Sequence, residues 1–343
     1  MNILIVSTPF IPVPPITYGG LERVIYDLAT SLHELGVRVT VACPTQSSPP
    51  VGVELLDIGP ARYQFQQDWV SAERKAYDLY KGRLEDFDLI HDHTWYAFPY
   101  LAKRYDNSLK VIHTHHGHLS WKSPPPVAHP NLVAISQYMA ASYSPMLGVA
   151  VRVVYNGVAL DEYKHSSTRG ERLLYLGRIV KFKQPHIAID IAKRAGVPID
   201  IVGGDRFVDD LQYVARIKGS CDGLQACYVG EASQDTKIKY LQNCRAVVIP
   251  SRMGEPFGLV AVEALATGRP VVCLGDGALP EIVSQSVGFV CANPDEMISV
   301  IRGGLDLRIS SDDCRRRAEE FSRTKMAEEY SRLYDDIREG KEW

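Results

Sequence analysis

The chain has 343 residues, 45% of them hydrophobic and 23% charged, with a formal net charge of −3. That length exceeds one ordinary domain and predicts two, while the near-balanced charge lacks the basic excess that points to nucleic acid. Seven cysteines without a C-x-x-C pair carry neither a zinc nor a disulfide signature; with no basic n-region after Met1 and no apolar run near the roughly 18 residues of a membrane span, a cytoplasmic protein is expected.

Short apolar runs stand at 2–8 (NILIVST), 38–44 (RVTVACP), 89–93 (LIHDH), 110–115 (KVIHTH), 132–136 (LVAIS) and 151–156 (VRVVYN). They are continuous rather than alternating, as parallel strands covered on both faces should be. The first runs into PFIPVPPITYGGLER, whose prolines shape a loop before a helix predicted over 20–35. Leu21, Val24, Ile25, Leu28 and Leu32 line one face of that helix, and Gly36 is its stop. Gly19 and Gly20 at its start leave backbone amides bare, which suits an anion; an ordinary strand–helix turn accounts for them equally well. Eight of the ten histidines precede residue 130, in HDH (91–93) and HTHHGH (113–118) among others. Alternate strand residues share a face, so His91 with His93 or His113 with His115 offers metal-ligand spacing. The alternative is that strand-end histidines hydrogen-bond to a polar ligand.

A polar segment, LDEYKHSSTRGER (160–172), reads as a linker, after which the pattern restarts at 172–178, 199–204, 226–230, 246–251, 270–275 and 288–292. Two successive α/β units, each a doubly wound parallel sheet, are the economical reading, and they bind ligands at the carboxyl ends of their strands. Neither opens with G-x-G-x-x-G, which argues against a nicotinamide dinucleotide. The tail from about residue 322 is a long amphipathic helix with Phe321, Met326, Tyr330 and Leu333 at helical spacing.

The first strand of the second unit ends LYLGRIVKFKQ and delivers Arg178 and Lys183, which taken by themselves are ordinary surface charges. Its fourth strand ends IPSRMGEPFG and opens a nearly all-apolar helix over 259–267, in which Glu263 is the single charged side chain. The amides of Gly258, Leu259 and Val260 face outward there, with the positive end of the helix dipole behind them. Two cations and a bare helix start on one sheet edge describe a diphosphate site. Glu263, one turn inside, would accept hydrogen bonds from a ribose diol and stay ionised among hydroxyls and cations. Glu255, in the loop before the helix, would sit beyond the phosphate, where a sugar follows.

The run E-P-F-G-L-x-x-x-E-A-L-A-x-G-x-P-V-V resembles the E-x7-E signature of glycosyltransferase family 4, retaining enzymes of the GT-B fold, and the resemblance extends over nearly the whole chain. YGGLERV is similar to the family's N-terminal glycine loop. HDH, THH (114–116) and AIS (134–136) resemble its acceptor-domain strands, and YNGVAL (155–160) its hinge. YLGRIVKFK resembles the phosphate element, YVGE (228–231) the segment that reads the base, and ALPEIV (278–283) the turn after the next strand. The resemblance implies two Rossmann-like domains facing across a cleft: 1–158 for the acceptor, 171–321 for the nucleotide sugar, and a C-terminal helix, 322–343, returning to the first. It assigns the donor to Gly19, Gly20, Gly177, Arg178, Lys183, Val229, Gly230, Glu255, Gly258, Leu259, Val260 and Glu263. His116, Glu255, Arg178 and Lys183 are the implied catalytic set, with Tyr18, His93, Trp95 and Trp121 as acceptor-side candidates.

One departure stands out: Gln184 follows Lys183 where the family usually has glycine, which puts the local turn in question. The implied reaction is a metal-free, cofactor-free transfer from a nucleoside-diphosphate sugar, a UDP-sugar by default. Its acceptor is a sugar, lipid-linked or small molecule, with at most peripheral membrane contact. The only D-x-D, Asp86–Phe87–Asp88, precedes a strand rather than following one, which puts it at the wrong sheet edge for a diphosphate-bound metal. Two alternatives stay open at this point, a 2-epimerase-like enzyme of the same fold and an inactive sugar-nucleotide-binding module.

Overall fold

The central apolar runs become strands with almost no solvent exposure, since a parallel sheet with helices on both faces has no wet side for polar residues, while the runs at 151–153, 226–230 and 288–291 are only partly covered. In a computed structural model, which describes residues 1–63, 68–103, 105–118, 131–148, 150–206 and 208–343, the chain divides into two units. The first is Met1–Gly157 with Arg323–Trp343, and the second is Val158–Ser322.

The first unit is built from β1 (Asn2–Val6), α1 (Gly20–Glu34), β2 (Arg38–Cys43), β3 (Glu54–Asp57), α2 (Trp69–Tyr80), β4 (Leu89–Asp92), α3 (Phe98–Ala102), β5 (Val111–His115), β6 (Leu132–Ala134), α4 (Gln137–Leu147) and β7 (Val151–Val153). Its sheet is parallel throughout, in the order β3-β2-β1-β4-β5-β6-β7. Ile3, Leu4, Ile5 and Val6 are fully buried, each worth roughly 1.5–3 kcal/mol. The edge strand β3 lies outside the expected runs: its sequence, ELLD, is short, half polar and mostly exposed, and it pairs on one side only.

The second unit contains β8 (Leu173–Leu176), α5 (Pro185–Ala195), β9 (Ile199–Val202), α6 (Leu211–Gly219), β10 (Ala226–Gly230), α7 (Gln234–Asn243), β11 (Val247–Ile249), α8 (Leu259–Ala266), β12 (Val271–Leu274), α9 (Leu279–Ile282), β13 (Gly288–Cys291), α10 (Pro294–Arg302) and α11 (Ser311–Glu319). The strand order is β10-β9-β8-β11-β12-β13, again all parallel. Its core gathers Leu173, Ile199, Ile201, Val248, Val272 and Met297.

The last helix, α12 (Arg323–Arg338), belongs to the first unit and packs against α1. It buries Met326, Tyr330, Leu333, Tyr334 and Ile337. The chain then continues to Trp343, whose indole N–H donates to the Leu132 carbonyl at 3.0 Å.

The segment expected as a polar linker is instead packed into the second unit. The Val158 amide donates to the Phe321 carbonyl at 3.0 Å, and Ala159 and Tyr163 are buried. The Arg315 guanidinium donates to the carbonyls of Tyr163 at 2.7 Å and Leu160 at 3.1 Å. Charged and small residues around Tyr163 concealed one large side chain that packs inward.

In each sheet the strand order reverses once, between β1 and β4 and between β8 and β11. Ligands of doubly wound sheets bind outside the carboxyl ends at such switch points.

Candidate active site

In the second unit, the two switch-point strands deliver the predicted cluster. Arg178 follows β8, with its guanidinium 5.5 Å from the Phe182 ring centre. Lys183 lies a turn further on, and its ammonium meets Glu255 Oε2 at 2.5 Å. Glu255 comes from the loop after β11 and is nearly buried. That loop is fixed from the neighbouring strand: Asp276 Oδ2 accepts the amides of Met253 at 2.8 Å and Gly254 at 2.7 Å. The Glu255 carbonyl in turn accepts the Ala278 amide at 2.8 Å. So the ALPEIV segment works as a brace for the loop that carries Glu255.

Gly258 precedes α8 with φ 108°, and a Cβ there would come 2.9 Å from Leu279 Cδ2. Both facts exclude a side chain at the helix mouth. No side chain caps α8, and the Leu259 and Val260 amides belong to the first turn, which has no i−4 carbonyl to serve. Those N–H groups and the dipole behind them favour an anion.

Gln184 answers the question raised by the missing glycine. Its backbone is left-handed, φ 53° and ψ 47°, so glutamine adopts the conformation that glycine would take. The turn is kept at a cost of roughly 1–2 kcal/mol, and Pro185 begins α5 immediately after it.

Glu263 is 6% exposed, but its carboxylate is not alone on its apolar helix. Lys237 Nζ lies 2.6 Å from Oε1, and the Tyr163 hydroxyl donates to the same oxygen at 2.7 Å. Gln234 Nε2 donates to that hydroxyl at 3.0 Å. Among the described residues, Oε2 has no hydrogen-bond partner. Gly177 follows β8, its amide donating to the Val202 carbonyl at 3.0 Å. Val229 and Gly230 end β10 on the same sheet edge, and the Gly230 carbonyl accepts the Gly203 amide at 2.8 Å.

The first unit gathers different groups at its switch point. Gly19 and Gly20 start α1 without a side-chain cap. Beside them Glu22 is buried, accepts the Thr8 hydroxyl at 3.0 Å, and is pushed up to about 7 by burial. Tyr18 remains 39% exposed. After β4, the Glu73 carboxylate, reaching from α2, accepts the amides of Trp95 at 2.9 Å and Tyr96 at 2.8 Å. Burial pushes Glu73 up to about 8. The turn it holds leaves Trp95 37% exposed.

The histidines form an interior network. His91 joins the Tyr334 hydroxyl through Nδ1 at 2.7 Å and Thr114 Oγ1 through Nε2 at 2.8 Å, and Thr114 meets the Tyr330 hydroxyl at 2.9 Å. His113 bonds the buried Asp92 carboxylate at 2.9 Å. His93 Nδ1 and His116 Nε2 lie 2.8 Å apart, sharing one proton between them. Burial holds His91, His93 and His115 well below the usual histidine range and brings His116 down to about 3. Hence the expectation of ligand-binding strand-end histidines is corrected for His91 and His113, which bond to the tail helix and to Asp92. His93, an acceptor-side candidate, is buried against His116, and its Nε2 has no partner among the described residues. Trp121 lies outside the described residues.

A family model described as Glycosyltransferase Family 4 matches residues 18–162, and one described as Glycosyl transferases group 1 matches residues 161–321. O-antigen chain mannosyltransferase C of Escherichia coli is 24% identical, over 95% of this chain and 97% of its own. Among solved structures, sucrose-phosphate synthase of Thermosynechococcus elongatus aligns with a TM-score of 0.83 at 17% identity, over 99% of this chain and 100% of that one. HepE of Anabaena, solved with UDP-glucose, aligns with a TM-score of 0.73 at 18% identity, over 98% and 100%.

The chain belongs to glycosyltransferase family 4.

This glycosyltransferase has the GT-B fold of two parallel-sheet, Rossmann-like domains. No helix among its described residues is long and apolar enough to cross a membrane. Sequence reasoning missed Tyr163, Lys237, Glu73 and Asp276 in the glycosyltransferase. Each acts on a partner at least 20 residues away, and none stands in a motif. The one local signal is that Gln234 and Lys237 share a face of α7 at i, i+3 spacing.

Proposed function

We propose that this glycosyltransferase moves a sugar from a nucleoside-diphosphate sugar to an acceptor hydroxyl, with retention at the anomeric carbon and without a divalent metal. The observation that carries the reading is the β8/β11 edge, where Arg178, Lys183 and the uncapped start of α8 concentrate positive charge. Breaking the anomeric C–O bond leaves negative charge on the departing diphosphate, and fixed donors stabilise it without reorganising. The acceptor oxygen bonds to the anomeric carbon on the face the diphosphate leaves, and the acceptor's proton passes to a leaving phosphate oxygen. Glu255, paired to Lys183, takes the sugar hydroxyls, and Glu263 takes the ribose. Gly177, Val229 and Gly230 line the nucleotide, and in the first unit Gly19, Gly20 and His116 keep the donor-side roles that the family resemblance implies. Tyr18 and Trp95 serve the acceptor, which is a sugar, lipid-linked or small molecule.

Metal independence is supported by charge and position. Arg178, the ammonium of the Lys183–Glu255 pair and the uncapped start of α8 supply donors to a diphosphate. The D-x-D pair is engaged at the opposite edge, with Asp88 Oδ2 accepting the Asn2 amide at 2.7 Å and Asp86 bonded to Arg83. The UDP-glucose complex of HepE supports a UDP-sugar as the first donor to try.

A panel of nucleotide sugars screened by thermal shift identifies the donor, since a ligand at 100 times its Kd stabilises by about 2.7 kcal/mol. Transfer to candidate acceptors is then followed by anomeric NMR with and without chelator. The reading expects a retained anomer and activity that survives chelator. An inverted product refutes the stereochemistry; loss of transfer to chelator with rescue by magnesium or manganese refutes the metal-free step. Acceptor-independent epimerisation, or binding without turnover, refutes the transferase reading.

A further inference from the structure

The helix α7 lies outside every motif of the sequence, yet two of its side chains converge on the buried carboxylate of α8. Lys237 Nζ meets Glu263 Oε1 at 2.6 Å, with both side chains largely buried. Gln234, one turn earlier on the same face, steadies the Tyr163 hydroxyl at 3.0 Å, and that hydroxyl donates to the same Oε1 at 2.7 Å. The base of this arrangement is fixed: the Ser233 side chain caps α7 by accepting the Thr236 amide. Arg315 holds the Tyr163 carbonyl at 2.7 Å and the Ala266 carbonyl at 2.8 Å, which ties the tyrosine to the end of α8.

Both contacts fall on one oxygen of Glu263, and among the described residues the other has none. A buried carboxylate needs a counter-ion, and one fixed by an ammonium and a phenol on a single oxygen has little rotational freedom left. We propose that Lys237 is a positioning residue for nucleotide recognition: with Tyr163 it pins Glu263 Oε1, so that Oε2 is the acceptor offered to the nucleoside's diol. This rests on the reading of Glu263 as the ribose ligand. It means that selection for a ribonucleotide is built from three elements: the segment after the first unit, α7 and α8.

The test is calorimetric titration of UDP and GDP, each against its dideoxy form, which lacks the diol. The proteins are wild type, Lys237→Gln, Lys237→Arg, Tyr163→Phe and Glu263→Gln, each checked for its melting temperature. Wild type is expected to prefer the diol-bearing nucleotide. Lys237→Gln should weaken that nucleotide by roughly 10- to 100-fold, the scale of a charged hydrogen bond, and leave the dideoxy form nearly unchanged. Lys237→Arg should restore most of the preference, and Tyr163→Phe should lower it by a smaller factor.

A merely structural lysine would weaken both forms equally, or change only the melting temperature, and that result overturns the proposal. Should Lys237→Gln fold poorly, Tyr163→Phe decides in the same way, and an unchanged preference there overturns it. If Glu263→Gln abolishes the preference while Lys237→Gln keeps it, only the positioning role falls. If Glu263→Gln keeps the preference, or wild type shows none, the ribose reading falls and takes this one with it.

Discussion

At the carboxyl edge of the second sheet, carboxylates are buried against ammoniums: Lys183 with Glu255 at 2.5 Å, Lys237 with Glu263 at 2.6 Å. At the corresponding edge of the first sheet the buried groups are imidazoles, hydroxyls and carboxyls that bond to one another and to backbone amides. Glu22 and Glu73 there have no cation partner among the described residues, and burial raises both toward neutrality. The difference teaches what each edge can accept. An edge of paired charges, with Arg178 and a helix start in addition, suits a dianionic ligand because its cations are already held in place. At the first edge the donors and acceptors are largely engaged with one another and with backbone amides, so what they decide there is stability.

The comparison breaks most readily at the charged edge. Arg178→Ala and Lys183→Ala should each lower kcat by roughly 10²- to 10³-fold, the loss expected for one fixed transition-state donor. Near wild-type turnover in either variant removes that cation from the diphosphate.

At the edge of the first sheet the largest effect is on stability. Tyr334→Phe deletes the partner of His91 Nδ1 inside a sealed network, so stability should fall by about 1–3 kcal/mol. A denaturant midpoint equal to wild type would show that α12 is not tied down through this bond.

Smaller, and specific to the first unit, is its response to pH. Glu22 and Glu73 titrate at about 7 and about 8, above the usual 4.5, so their stabilising contribution is whole below pH 4.5 and is lost as pH rises through those values. His116, at about 3 against the usual 6.5, works in the opposite direction, its contribution present above pH 6.5 and lost as pH falls toward 3. The other buried imidazoles reinforce that acid limb. The first unit should therefore be most stable near pH ~6.5. Amide exchange corrected for its intrinsic pH dependence should show it loosening on both sides while the second unit changes less. Glu73→Gln should flatten the alkaline limb; an unaltered limb would show that Glu73 does not carry it.

The smallest effect sharpens the account of the second unit. Gln184→Gly relieves a left-handed backbone but adds chain entropy on unfolding, so a net gain of at most about 1 kcal/mol is expected. A melting temperature that falls would mean the glutamine side chain contributes more than its backbone costs.

Continuous Val, Ile and Leu runs at 2–8 or 270–275 made the two parallel sheets legible, because a strand covered on both faces has no polar period to hide it. The bare start of α8, the cations after β8 and the paired glutamates were legible too, since helix termini and strand ends are local features written within a few residues. The partners of those groups were not. Lys237 and Glu263 are 26 residues apart, and Tyr163 and Glu263 are 100 apart. Nothing in the composition of a polar segment distinguishes the tyrosine that turns inward from one that stays in water. The histidines show the same limit: their spacing on β4 and β5 was plain, but only the packing of α12 against His91 decided that this imidazole is buried and held neutral. Periodicity reports which face of an element is dry; which polar group meets which across that dry face depends on how separate elements are brought together, and that is a property of the folded chain.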